Sequence, residues 1–527
     1  MTATLANGLN QVEKPEGKSS PMMSKFIWAV LALAIVAGVA FRCIALDRKL
    51  IWADETVTYF FISGHSNDEL MQLEGKAVTA EQLMQFQRLD SKKTAADALK
   101  QLSERQAEQG PVYYMLARSW AVKFGDGLAS VRSFSAVIGV LIIAAVFWLC
   151  LELFGSTLAA TVACALIALS PLALLYSQVA RPYSLWSLEA ILTGVFLLQG
   201  LRHGGVWRWV LYAAVTCLAL YTQVLHQSVV VAQVVYVVLQ SRLRISKRIM
   251  AFAGAILVAE LLYWPWFTLI ETGHNEASTW TENNIGAAKI GEGVAAEIGR
   301  TVLMASGHDP TGQMIQTGIS IVCIGLAIFS FIFIVGTKLG HRARYLLCVA
   351  LVPLAIVVFR DIQFGHFASV IDRYVIVSLL TVQMCVGFLI GSTLQSRKGN
   401  VRKGALAVML TLLVAQAGSC VWFLNQNEFR FFGIGNGRIR VDKVGGDGEP
   451  IRITASKMQI MTLAHFMDSD AQLIFTFGGP SPLVKNYLLL SPNEEVTHRY
   501  PTYTATALGR KGDLWLLTRR QRKMASQ

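Results

Sequence analysis

Two adjacent carboxylates, Asp54 and Glu55, follow the first long apolar run in the stretch Ile51-Trp52-Ala53-Asp54-Glu55-Thr56. A carboxylate pair at a bilayer edge is costly unless it is solvated, paired or used. Used, it supplies a general base that takes a proton from an acceptor hydroxyl. Solvated, it is an ordinary acidic helix end, and by position alone that is the commoner case. A second group fills Ser170-Pro171, Tyr176-Ser177-Gln178 and Ala180-Arg181-Pro182-Tyr183-Ser184. A guanidinium fork there matches phosphate oxygens at a membrane surface. The same residues also suit an interfacial anchor, with Tyr in the aromatic belt and Arg snorkelling. A third group, Asp361 to Tyr374, holds His366, Asp372, Arg373 and Tyr374 just before a later apolar run. Arg373 is there either as a second cation for a phosphate or as half of a structural Asp372–Arg373 environment.

Other residues are less specific. Glu189 and Glu260 fall inside apolar runs. Carboxyls there are functional candidates by default, and pairing within a helix bundle accounts for them equally well. His226, His274, His308 and His366 show no ligand spacing. Gly478-Gly479-Pro480 could cradle an anion, but a plain strand–helix turn is the commoner use of a glycine pair.

These residues must be held by elements that lie in lipid. Of the 527 residues 54% are hydrophobic and 15% charged, against about 25% charged in a soluble domain. A spanning helix takes roughly 20 apolar residues. Such runs stand at 26–46, 132–153, 156–176, 184–201, 208–223, 226–240, 249–270, 313–336, 345–360, 373–394 and 404–424. The expected fold is thus a polytopic α-helical membrane protein with about eleven transmembrane helices. The run 26–46 is too long for a signal-peptide core and reads as a retained helix. Alternate loops hold Lys and Arg without Asp or Glu, which makes them cytoplasmic by the positive-inside bias. The net charge of +13 is spread through those loops and does not form a nucleic-acid footprint. None of the eight cysteines lies in the polar stretches 56–110, 272–311 or 425–527, so no disulfide framework is expected there.

The expected organisation follows. Residues 1–25 form a cytoplasmic tail. Residues 26–424 form the transmembrane domain, with a large first outer loop at 47–131. Residues 425–527 form a small extracytoplasmic α/β domain. The first loop reads as helical at 68–71, 80–86 and 94–107, and 113–124 reads as an amphipathic helix at the interface. The tail reads as strands at 438–441, 472–477 and 514–518, with helices at 456–467 and 482–490.

Four motifs taken in order carry a resemblance. Trp52-Ala53-Asp54-Glu55 resembles the first-loop acidic motif of the GT-C superfamily of integral-membrane glycosyltransferases. Within it, the similarity is to the bacterial branch related to protein O-mannosyltransferases and lipid A aminoarabinose transferases. Gly110-Pro111-Val112-Tyr113-Tyr114-Met115-Leu116 is similar to that branch's His-Pro-Pro-Leu-Tyr-Tyr stretch. The 170–184 segment and Asp372-Arg373-Tyr374 resemble its outer-face Arg and Tyr motifs. The resemblance covers roughly 26–395, and the tail matches only as an outer-face domain. Gln109-Gly110-Pro111 stands where the family has His-Pro-Pro, so the histidine's role does not carry over.

The resemblance implies a transferase that moves a hexosyl or pentosyl sugar from a polyprenyl-phosphate donor to an acceptor hydroxyl on the extracytoplasmic face, with inversion. Asp54 would be the base and Glu55 would orient it or the acceptor. Arg181, Tyr183, Arg373 and Tyr374 would meet the donor phosphate. Gln109, Tyr113, Tyr114 and Tyr176 would shape the donor and acceptor sites. No cofactor is required, and a divalent metal would sit at Asp54 and Glu55 if anywhere. The partners implied are the lipid-linked sugar, a glycan, lipid or protein acceptor and the bilayer of a bacterial inner membrane. A secondary transporter and a lipid-linked-glycan ligase or polymerase are the competing readings.

Overall fold

The computed structural model describes residues 21–272 apart from 243 and 245, then 281–304, 310–337, 340–426 and 450–477, and strands at 486–490, 503–507 and 514–519. The tail up to residue 20, His274, His308, the strand expected at 438–441 and Gly478-Gly479-Pro480 lie outside the described residues.

The chain opens with α1 (Pro21–Cys43). The first loop holds α2 (Ala53–Ser63), α3 (Asn67–Met71), β1 (Ala77–Thr79), α4 (Ala80–Gln85) and α5 (Ala95–Arg105), and α6 (Pro111–Phe124) follows it. Next come α7 (Leu128–Phe154), α8 (Thr157–Ala168), α9 (Pro171–Ser177), α10 (Tyr183–His203), α11 (Val206–Thr222), α12 (His226–Ser241) and α13 (Lys247–Thr272). Then come α14 (Ala287–Arg300), α15 (Pro310–Gly336), α16 (Gly340–Phe364), α17 (Asp372–Thr393) and α18 (Gly399–Leu424). The tail supplies β2 (Ile451–Thr454), α19 (Lys457–Leu463), β3 (Gln472–Thr476), β4 (Asn486–Leu490), β5 (Tyr503–Ala507) and β6 (Leu514–Arg519). These elements form two compact units. One contains 1–46, 103–113 and 132–425; the other contains 47–102, 114–131 and 426–527.

In the first unit, eight described helices are long and apolar enough to cross a membrane: α1, α7, α10, α13, α15, α16, α17 and α18. A bent pair, α8 with α9, makes nine if it counts as one span. All eleven apolar runs are helical, but α11 has 17 residues and α12 has 16, short of the roughly 20 a crossing needs. The expected count of about eleven is thus not confirmed; eight or nine spans meet the length and composition of a crossing among the described residues. Helix α17 is the central one, with 94% of its apolar window buried inside the bundle. Gly387 and Gly391 make that possible. A Cβ on either would stand 2.5 Å and 2.3 Å from the Cα atoms of Ala163 and Ala159 on α8. Small residues spaced by four let two backbones meet where lipid gives no hydrophobic drive.

The α8–α9 pair bends by 62°. Pro171 at the start of α9 has no N–H to continue the helix, and Ser170 caps the new start through Ala173 N–H. The carbonyls orphaned by the break find donors. Arg42, fully buried on α1, donates to Ala168 O at 2.6 Å and Ile167 O at 3.1 Å. Cys420 Sγ donates to Leu169 O at 3.1 Å. Buried backbone groups left without partners are expensive in an apolar core, so Arg42 fixes the bend.

The second unit is built on a six-stranded sheet in the order β1-β3-β2-β4-β6-β5. The trio β3-β2-β4 is parallel and the remaining pairs are antiparallel. Its first edge strand comes from the first loop. Ala77, Val78 and Thr79 pair with Ile474, Leu473 and Gln472. Capping boxes at Ser66/Glu69, Thr79/Gln82 and Ser456/Gln459 start α3, α4 and α19, which is how short polar segments begin helices. The sequence reading of a helix over 482–490 is corrected at 486–490, which is the strand β4. A short apolar run fits both periods, and pairing with β2 and β6 decides it.

Candidate functional site

In the first unit the polar residues expected to meet a phosphate gather around one tyrosine. Tyr176 closes the last turn of α9, and its hydroxyl donates to Asp372 at the start of α17, 196 residues away. Asp372 Oδ1 also accepts from Arg373 N–H at 2.8 Å. The Tyr176 ring stands edge-on to Tyr183, with centroids 5.2 Å apart. Arg181 lies over Tyr183, 5.8 Å from its centroid, and donates through Nη2 to Gln109 Oε1 at 3.1 Å. Arg373 lies 5.3 Å over Tyr374. Ser184 Oγ donates to Tyr176 O at 2.6 Å, which closes the 176–184 turn on itself. Tyr176, Arg181, Tyr183, Asp372 and Arg373 are all buried, and Gln109 and Tyr374 are half-buried. Gly110 lets the segment carrying Gln109 approach α11, because a Cβ there would meet Tyr221 O at 2.1 Å.

The structure adds two residues to this cluster that the sequence reading did not single out. Helix α14 brings Glu297, buried and accepting a hydrogen bond from Arg300 Nη1. Asp372 acts electrostatically on both of them. Burial, with Asp372 adding to it and Arg300 opposing, pushes the Glu297 carboxyl up to about 8. Asp372, and Glu297 where it is ionised, keep Arg300 charged against the pull of burial. The only sequence signal was an acid and a base three residues apart in a polar loop. Thr301, just past α14, fixes that helix to the bundle. Its carbonyl accepts from Ser170 Oγ at 3.3 Å, Gln383 Nε2 at 2.8 Å and Gln416 Nε2 at 3.1 Å.

Other expected residues have structural partners here. Tyr113 is fully buried, its hydroxyl 2.9 Å from Ser135 Oγ. Glu189 accepts from Thr222 Oγ1 at 3.1 Å and Glu260 from Gln227 Nε2 at 2.9 Å. His226 takes the Trp186 indole N–H on Nδ1 at 3.3 Å. His366 Nδ1 lies 3.2 Å from Thr281 Oγ1. Among the described residues no group of three or more His, Cys, Asp or Glu is placed to hold a metal ion.

In the second unit, Asp54 and Glu55 occupy the first turn of α2, behind an extended Trp52. The helix dipole favours carboxylates at that end. Asp54 is half-buried and Glu55 fully buried. Tyr114, from α6, packs edge-on against Phe61 of α2, with centroids 5.6 Å apart.

Comparison with known proteins follows this geometry. Residues 108–267 match the family model described as dolichyl-phosphate-mannose-protein mannosyltransferase. The match takes in Gln109, Tyr113, Tyr114, Tyr176, Arg181 and Tyr183. The ArnT of Cupriavidus metallidurans bound to undecaprenyl phosphate superposes with a TM-score of 0.52 at 13% identity, over 95% of this chain and 99% of that one. The chain shares the fold of this membrane protein. The same ArnT without ligand gives a TM-score of 0.52 at 13% identity, over 94% of this chain and 98% of that one. The Archaeoglobus fulgidus oligosaccharyltransferase AglB gives 0.49 at 12% identity, over 85% of this chain and 64% of that one. No curated protein matches the chain. The GT-C resemblance drawn from four short motifs therefore holds at the level of the fold, and this is a multi-pass membrane protein.

Proposed function

We propose that the chain transfers a sugar from a polyprenyl-phosphate carrier to an acceptor hydroxyl on the extracytoplasmic face of a bacterial inner membrane, with the N-terminus cytoplasmic and the C-terminus outside. One observation carries this reading. Two arginines, Arg181 and Arg373, and two aromatic hydroxyls, Tyr176 and Tyr183, are gathered with Asp372 at the ends of apolar helices. Buried guanidinium groups at such a place suit the phosphate of a lipid, and their charge stabilises the phosphate as it leaves. The family match over this segment and the ArnT fold support the same donor class.

Asp54 takes the proton from the acceptor hydroxyl as its oxygen attacks the anomeric carbon, from the face opposite the phosphate. The new bond is between acceptor oxygen and anomeric carbon, and the bond broken is between that carbon and the phosphate oxygen. Configuration at the carbon inverts. Glu55, one residue on, orients the base or the acceptor. The lipid brings the sugar already activated, so no nucleotide or other cofactor enters. In cells lacking the gene, mass analysis of the surface glycans should show one sugar residue missing. Wild-type protein restores it, and Asp54→Asn, inserted at normal levels, does not. Full restoration by Asp54→Asn would remove Asp54 as the base.

A further inference from the structure

We infer that the C-terminal domain is the platform that positions the acidic pair, through a contact between Thr462 of α19 and Thr56 of α2. This rests on the reading of Asp54 as the base. Helix α2 is held at both ends. At its start, one residue beyond Glu55, the fully buried Thr56 hydroxyl lies 3.0 Å from the Thr462 hydroxyl. Thr462 is in turn 2.7 Å from Met458 O. The Thr462 hydroxyl is thus within reach of both Met458 O and Thr56 Oγ1, and Thr56 Oγ1 also lies 3.4 Å from Trp52 O, so the hydroxyl pair links the first turn of α2 to α19. At the other end of α2, the buried Arg118 guanidinium binds Ile62 O, Ser63 O (3.0 Å) and Lys93 O.

Helix α19 is itself fixed. Gln87, buried in the first loop, donates to Met461 O at 3.0 Å, and its Oε1 lies 2.8 Å from His465 Nε2. The strands on either side of α19, β2 and β3, pair with each other, and β3 pairs with β1. Backbone bonds from Gly75 to Phe475 O and from Ala80 to Ala471 O, each 3.0 Å, extend that seam. The tail thus reaches the first turn of α2 through a buried hydroxyl pair, Thr56 and Thr462. Thr56 and Thr462 are positioning residues: they act on the reaction through Asp54 and Glu55.

The test uses full-length protein in nanodiscs, with Thr462→Val, which keeps the shape and removes the hydroxyl, and Thr462→Ser, which keeps the hydroxyl. Hydrogen exchange of peptides covering 53–63 should be roughly fivefold faster in Thr462→Val, the worth of one buried hydrogen bond, and normal in Thr462→Ser. With polyprenyl-phosphate lipid extracted from the same cells as donor, Thr462→Val should lose roughly tenfold in kcat at an unchanged half-saturating amount of extract. Thr462→Ser should restore it. Unchanged exchange, or a Thr462→Ser as slow as Thr462→Val, overturns the proposal. Wild-type protein that transfers nothing from the extract sinks the transferase reading instead, and the exchange arm still decides the contact.

Discussion

Arg181 and Glu297 are the side chains whose chemistry is most exposed to experiment. Arg181 is buried, reaches Gln109 and lies over Tyr183; on the proposed reading its removal leaves the donor phosphate one charge-assisted bond short. Arg181→Ala should raise the half-saturating donor concentration by roughly 10-fold or more, the worth of one such bond. Donor-dependent initial rates in membranes read it directly. Glu297 offers a test in stability. Burial pushes its carboxyl from an ordinary 4.5 up to about 8, with Arg300 opposing. Between those limits the folded state binds more protons than the unfolded chain, so stability falls as pH rises through the window. The slope is at most about 1.4 kcal/mol per pH unit. Glu297→Gln should flatten the decline of the thermal midpoint between pH 5 and 8. An unchanged slope would place the titration elsewhere.

At the scale of elements, the contact between α8 and α17 is the tightest test of the bundle. Gly387→Val puts a branched side chain where Ala163 Cα already stands 2.5 Å from the new Cβ. Overpacking costs roughly 1–3 kcal/mol, and a backbone neighbour cannot swing away, so the upper end is expected. A thermal-shift series with Gly387→Ala as the milder step measures it. This scale also shows what the sequence could and could not reveal. Asp54, Arg181 and Asp372-Arg373 stood out because charge beside an apolar run needs a reason, and the helices stood out because lipid demands long apolar runs. Nothing local marks Arg300, Glu297 or Thr462, whose meaning comes from partners on other elements. The strands at 77–79, 451–454, 486–490 and 503–507 were missed for the same reason. Each is short, and pairing rather than propensity makes it a strand.

For the molecule as a whole, sidedness is the prediction to check. Cysteine-accessibility labelling should find a residue in the first loop, such as Lys92→Cys, reactive from outside the cell. A residue between α18 and its predecessor, such as Lys398→Cys, should react only after permeabilisation. The reverse pattern would put the acidic pair on the nucleotide-rich side and remove the need for a lipid carrier.

The seam between β1 and β3 constrains how often the chain crosses the bilayer. Ala77 and Ile474 are sheet partners, so they occupy the same side, and the polypeptide between them makes an even number of passages. Seven of the eight long helices lie in that interval, because only α1 precedes it. The short helices α11 and α12 are joined through Gln223–Leu225. If the seven long helices each cross and α11 and α12 together add an even number, parity requires one more passage, which the bent pair α8–α9 would supply as a single broken span.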